Sequence, residues 1–204
     1  MAKAKRKRKR SKSGKGSTYE REMCRTLSLW WSDQERDDLF WRSSNSGGRA
    51  TSRSRRGKAT YGQHGDVAAV DPIGAPLTNA FTIEIKRGYS RYSIFDVIDK
   101  PSTSAMQHYE EWIDQAAGTS NRAGTWSWLL ITRADRREAL VTLPTSAYDE
   151  LRILGAWQDL PMPSLRLRFV PYSHVTRFYL TILRLDAFLE GLRPEMVQQF
   201  SQGG

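Results

Sequence analysis

A chain of 204 residues suits one domain with an arm or an extension, and its 39% hydrophobic content, including 7 Trp, 8 Tyr and 7 Phe, can fill a core. No apolar run approaches the roughly 20 residues that span a bilayer, no apolar segment follows the basic N-terminus as in a secretory signal, and the single cysteine, Cys24, excludes an internal disulfide, so a soluble cytoplasmic protein is expected. Lys and Arg number 32 against 22 Asp and Glu, a net +10, and nine of those positive charges fall between Ala2 and Lys15 with no acid among them, which points to a polyanionic partner.

Residues 1–16 read as a disordered basic tail. Lys3, Lys5, Arg6, Lys7, Arg8, Lys9 and Arg10 leave almost no apolar surface to offset the entropy of ordering. They suit nucleic-acid phosphates, bound through counterion release; a solubilising tail or a nuclear-import signal is the plainer alternative. The stretch TYEREMCRTLSLWWSD then has helical spacing, with Ser17 or Thr18 as its cap and Tyr19, Met23, Leu27 and Trp30 on one side. At about 100° per residue, Glu20 falls near the centre of the face made by Tyr19, Met23, Cys24, Leu27, Trp30 and Trp31, and Glu22 falls well away from it. One acid of this helix is thus expected to face the body of the protein.

LFWRSS, 39–44, reads as a first strand. After it comes a long basic loop with Arg49, Arg53, Arg55, Arg56 and Lys58 and no acid up to Gln63. Its composition suits the DNA backbone; a solvated loop is the alternative. DVAAVD, 66–71, is a second strand, ended by Pro72 and Gly74, and FTIEIKRG, 81–88, follows as a third. A helix is expected over 104–117 and a buried strand at SWLLITR, 127–133. ALVTLP, LRLRFV and RFYLTILRL suggest further strands around a helix at SAYDELRIL, and LDAFLEGL and PEMVQQF look like a final helical pair. The order of elements argues for one α/β domain, with a core over 17–135 and an α+β extension over 136–204 packed on it.

FTIEIKRG carries the chemistry. Side chains alternate along a strand, so Phe81, Ile83 and Ile85 share an apolar face while Thr82, Glu84 and Lys86 share the other. An exposed Glu84–Lys86 ion pair would contribute only about 0–1 kcal/mol, which is a weak reason for the placement. Asp66 supplies a stronger one. If its strand pairs with FTIEIK, two carboxylates approach each other, and a bound cation keeps both ionised. Oxygen ligands suit Mg²⁺, which can lower the pKa of a bound water and offset charge on a phosphate; Lys86 would orient that water or stabilise the same charge. Asp71, five residues along, belongs on the other face and outside the site.

Asp66 with Glu84-Ile85-Lys86 resembles the D…ExK signature of the PD-(D/E)XK nuclease superfamily, with Gly65 where the name has proline. KGSTYERE, 15–22, is similar to the KGxxxERE helix start of archaeal-type Holliday junction resolvases, whose helix acid maps onto Glu20. FWRSSNSGGR resembles the strand and loop before the catalytic aspartate in those enzymes and their phage-encoded relatives, with Arg42 and Ser46 at the matching positions. WIDQAAGTSNRAGTWSWLLITR is similar to the helix-to-strand unit that follows ExK in the phage group, and its glutamine is Gln115, or Gln107 in another register. The resemblance covers about 15–133. It implies a restriction-endonuclease-like mixed β-sheet flanked by helices (an αβββαβ core), and Mg²⁺-dependent DNA cleavage with Mn²⁺ as a substitute. It also implies metal ligation by Asp66, Glu84, the Ile85 carbonyl and Glu20, and a homodimer.

Plainer roles compete at several positions. Glu20 could pair with an arginine such as Arg42, Gln115 could be a solvated helix residue, and His64 reads better as a loop or DNA-contacting residue than as a base. Trp30, Trp31, Trp112, Trp126 and Trp128 lie in helix or strand patterns and read as core. The function expected is a structure-selective endonuclease for junctions or other branched DNA in recombination, repair or phage DNA processing, in a prokaryotic or phage-infected cell, nucleoid-associated. A restriction-like duplex nuclease, or a binding protein on a decayed nuclease fold, is the alternative.

Overall fold

A computed structural model describes residues 13–43, 64–89, 91–97, 99, 108–158, 164–169 and 178–201. The basic tail from Lys3 to Arg10, the loop residues Ser46, Arg49, Arg53, Arg55, Arg56 and Lys58, and Gln107 lie outside the described residues.

Helix α1 spans Ser13–Trp31, five residues longer at its start than the stretch beginning at Thr18, so Ser17 and Thr18 are helical rather than capping. Strand β1, Phe40–Arg42, and strand β2, Val67–Ala69, pair antiparallel as a two-stranded ribbon. Asp71 then caps a 3₁₀ turn at Pro72–Gly74 through the Ile73 N–H and binds Arg36 at 2.7 Å, a structural role away from the acidic site. A six-residue helix, α2 at Ala75–Ala80, precedes β3 at Phe81–Arg87. The sequence gives no sign of α2, because one and a half turns is too short for a helical period to register.

Helix α3, His108–Ala123, leads to β4, Ser127–Arg133, which lies parallel to β3. The chain continues as β5 (Leu140–Pro144), α4 (Thr145–Ile153), β6 (Ser164–Phe169), β7 (Phe178–Arg184), α5 (Leu185–Gly191) and α6 (Pro194–Gln198). The five-stranded sheet runs β3-β4-β5-β7-β6, with its last three neighbours antiparallel, so it is mixed and β3 is an outer strand. The last third of the chain thus extends the sheet that β3 and β4 begin.

Alternation splits the core in two. Phe81, Ile83 and Ile85 of β3 and Leu129 and Ile131 of β4 pack with Tyr19, Met23, Leu27 and Trp31 of α1 and with the C-terminal helices. Trp128 and Leu130 turn to the other side, against Tyr109, Trp112, Ile113 and Ala116 of α3. Helices therefore flank both faces, as a restriction-endonuclease-like α/β fold requires. Burying each large apolar side chain contributes about 1.5–3 kcal/mol. Trp30 adds direction: its indole N–H donates to the carbonyls of Leu189 and Leu192, fastening α1 to the end of the chain. No helix of the described residues is long and apolar enough to cross a membrane.

One buried hydroxyl ties α1 to the ribbon. Ser28 donates to the Cys24 carbonyl at 2.8 Å and accepts the Phe40 N–H at 3.0 Å. Ser28→Ala leaves that buried N–H unpaired, which costs about 1–3 kcal/mol. Urea unfolding should show the midpoint falling with an unchanged slope, while Thr26→Ala, whose hydroxyl bonds only its own helix in an exposed setting, should shift it far less.

Candidate active site

The site grows from the outer edge of β3. The ribbon does not pair with β3 along its length; a single bridge joins Gly65 to Ile83. The Asp66 N–H donates to the Ile83 carbonyl at 2.7 Å, and the Ile85 N–H donates to Asp66 Oδ2 at 2.8 Å. Two bonds thus fix both the backbone and the carboxylate of Asp66 on that edge. A strand residue's N–H and C=O point to the same side, so the Ile85 carbonyl also faces the edge where Asp66 sits.

Gly65 makes this approach possible. Its φ is +77°, and a Cβ there would lie 2.5 Å from the Ile83 carbonyl oxygen. Proline, fixed near −65°, could not adopt this backbone, which explains physically why the residue before Asp66 departs from the superfamily's name. Ser43, which the sequence reading passes over, completes the turn: its N–H donates to the Asp66 carbonyl at 2.9 Å and its hydroxyl to the Gly65 carbonyl.

On the α3 side of β3, three side chains close a triangle. Lys86 Nζ donates to Glu84 Oε2 at 3.1 Å and to Gln115 Oε1 at 3.2 Å, and Gln115 Nε2 donates to the same Glu84 oxygen at 3.0 Å. Glu84 is 3% exposed, so the pair is buried rather than the exposed bridge considered from sequence. Gln115 is exposed on α3, and its side-chain amide bonds both Glu84 and Lys86.

Glu20 faces the body of the protein from α1, as its position on the helix predicts, whereas Glu22 is exposed and meets Arg133 at 3.2 Å. Arg42 donates to Glu20 Oε2 from both Nε, at 2.7 Å, and Nη2, at 2.6 Å. The structure therefore joins Glu20 and Arg42 to each other, the plainer of the two roles weighed for each. His64 is exposed beside Gly65. The tryptophans read as core are buried or packed on it, and it is Trp41 of β1 that is exposed.

Among the described residues no three His, Cys, Asp or Glu side chains gather to hold a metal ion unaided. The donors that do converge are the Asp66 carboxylate and the Ile85 carbonyl, with Glu84 one residue before. All are hard oxygens, the chemistry of a small divalent cation that keeps water ligands. Their electrostatics fit one as well. Burial pushes the Asp66 carboxyl up to about 7, with the charges of Glu84 and Glu20 pushing the same way against the Ile85 N–H and Lys86. The pocket holds more negative charge than its own lysine offsets.

That imbalance has a measurable sign. The folded pKa of Asp66 lies above the ordinary aspartate value of 3.8, so the folded state holds a proton that the unfolded chain lacks between those values, and stability contributed by this group falls as pH rises towards 7. Asp66→Asn should flatten that fall. Cation binding at pH 6 should release a proton that it does not release at pH 8, measured by calorimetry in buffers of different ionisation enthalpy; equal release at both would show that Asp66 does not hold the cation.

Comparison with known proteins agrees with the geometry. The profile of the family described as "Phage putative PDDEXK endonuclease" matches residues 11–199, well past the last motif legible in the sequence. No curated protein matches, and no solved structure does. With the match spanning nearly the whole chain, and a mixed sheet whose outer strand carries Glu84-Ile85-Lys86 with Asp66 bonded to its edge, the chain belongs to the phage PDDEXK endonuclease family, within the PD-(D/E)XK nuclease superfamily.

Proposed function

We propose that the chain is a Mg²⁺-dependent DNA endonuclease selective for branched substrates such as four-way junctions, acting as a homodimer in recombination, repair or phage DNA processing. The observation that supports the catalytic part is the Asp66 carboxylate bonded to the Ile85 N–H on the edge of the strand that carries Glu84 and Lys86, which bond Gln115 on the α3 side. Family membership supports nuclease chemistry. The preference for branches and the dimer rest on the resemblance of KGSTYERE and its neighbours to junction resolvases, and a resolvase needs two sites to cut opposed strands.

Asp66, Glu84 and the Ile85 carbonyl would hold the cation, with Glu20 at the rim if Arg42 releases it. When bound, the cation supplies positive charge that acidifies water and offsets charge gathering on the phosphate. Lys86 has a position set by Glu84 and Gln115, and its ammonium orients the attacking water. That water's oxygen forms a bond to phosphorus, one P–O ester bond breaks, and the departing oxygen takes up a proton. Arg49, Arg53, Arg55, Arg56, Lys58, His64 and the basic tail would grip the flanking backbone, which makes affinity fall steeply with salt.

Labelled four-way junction, flap, nicked and linear DNA, each incubated with Mg²⁺ or EDTA, test the proposal. Paired symmetric nicks in the junction, lost in EDTA and reduced by at least about a hundredfold in Asp66→Ala, are expected. Asp66→Ala is the appropriate variant, because it removes a crowded charge, whereas Lys86→Ala would strand the buried Glu84 and cost about 3–5 kcal/mol of stability. Equal cutting of all four substrates would keep the nuclease and discard the branch preference. DNA binding without cutting in Mg²⁺ or Mn²⁺ would overturn the enzyme.

A further inference from the structure

Beyond the triangle lies a group of aromatic rings that the proposed chemistry does not use. β3 ends at Gly88, whose φ of +88° turns the chain after Arg87. Tyr89 and Tyr92 then collect around Trp112 of α3, with ring centroids 4.8 Å and 6.5 Å from it, while Trp112 itself is buried. The two tyrosines are 44% and 37% exposed. Single exposed aromatics need no explanation, but these two share a shallow recess with Lys86, whose floor includes Tyr109, Trp112 and Thr132.

Their geometry leaves a flat partner to be supplied. Tyr89 meets Trp112 at 59° and Tyr92 meets it at 86°, so neither ring lies flat on the tryptophan; the flat contact in the group is His108 on Trp112, at 19°. Tyr92 also sets its ring edge-on to His108 at 4.1 Å and tilted to Tyr89 at 6.1 Å. Such a part-exposed aromatic pair beside Lys86, the lysine proposed to act at the phosphate, is suited to a nucleobase, where stacking contributes about 1–3 kcal/mol per base. A base inside a duplex already has both faces covered by its neighbours. Only an unpaired or splayed base can use the platform.

From this we infer that Tyr89 and Tyr92 form a stacking platform for a nucleobase next to the scissile phosphate, and that the substrate class is DNA with a nucleotide unpaired, or splayed out at a branch point, at the cut site. The inference rests on the proposed nuclease reading for the position of that phosphate. It narrows "branched" to a chemical feature, the exposed base, and assigns its recognition to residues outside the Asp66–Glu84–Lys86 set. The hydrophobic floor under the rings holds them in place; their exposed faces are the recognition surface.

The test uses the full chain in EDTA, so that binding is read without cleavage. A flap carrying 2-aminopurine as its first unpaired base is titrated beside a fully paired duplex of the same sequence. Wild-type protein should quench the flap's fluorescence, since 2-aminopurine dims when stacked, and should prefer flap over duplex. Tyr89→Leu with Tyr92→Leu keeps apolar volume without a ring face and should lower that preference about tenfold; Tyr89→Phe with Tyr92→Phe should retain it, and thermal melting of each variant checks folding. An unchanged preference in the leucine variant, or no quenching by wild type, overturns the platform. Quenching by a protein that cuts none of the four cleavage substrates would support the platform while overturning the nuclease, and cutting without quenching would do the reverse.

Discussion

Two hydrogen bonds on the outer edge of β3 hold the rest of the site in place: Asp66 N–H to the Ile83 carbonyl, and Ile85 N–H to the Asp66 carboxylate. They couple a loop residue to a strand buried between two helical layers, so the position of Asp66 inherits the rigidity of the sheet. The demand propagates outward. Gly65 must take a left-handed φ to reach the edge, Ser43 must close the turn, and β1 must hold Ser43 in place. β1 in turn hangs from α1 through Ser28, and the same pair of elements joins Glu20 to Arg42. A single-residue approach to a strand edge therefore organises the first half of the chain.

Charge decides what that edge can do. Glu84 is almost wholly buried, and its partner Lys86 is shared with Gln115. Breaking such a pair costs about 3–5 kcal/mol, whereas the pair itself adds little over an apolar replacement, so stability alone gives a poor reason to build it. Asp66 brings a second carboxylate into the same field and is driven towards its neutral form. An exposed salt bridge would show neither feature. A site that stores negative charge beside a positioned lysine is suited to a cation and a phosphate, the two ligands that relieve it.

Much of this was legible in residue patterns, and the reasons for success and failure differ. Alternation in FTIEIKR separated Ile83 and Ile85 from Glu84 and Lys86 because a strand has a fixed period of two. The helical period of α1 put Glu20 inward and Glu22 outward for the same kind of reason. The buried runs of β4, β5 and β7 and the short C-terminal helices also stood out by composition. What stayed hidden depends on contacts between distant segments. No pattern shows that β2 would pair with β1 and that a single bridge at Gly65 would join the ribbon to β3. The pairing of Glu20 with Arg42, one of two readings open from the sequence, is decided by how distant segments meet. The six residues of α2 were too few to announce a helix, and the roles of Ser28 and Ser43 lie in hydrogen bonds that a hydroxyl can make anywhere. The glycine before Asp66 was a usable signal, since a glycine at a strand start often marks a close backbone approach.

The most direct measurement is a crystal structure of the protein soaked with Mn²⁺, read by its anomalous signal. The account predicts a peak at the outer edge of β3, with the Asp66 carboxylate, the Ile85 carbonyl and a Glu84 oxygen at about 2.0–2.3 Å, and with Lys86 still in contact with Gln115. A peak elsewhere, or none while Asp66 remains bonded to the Ile85 N–H and Glu84 to Lys86 and Gln115, would contradict it and make those residues a structural cluster.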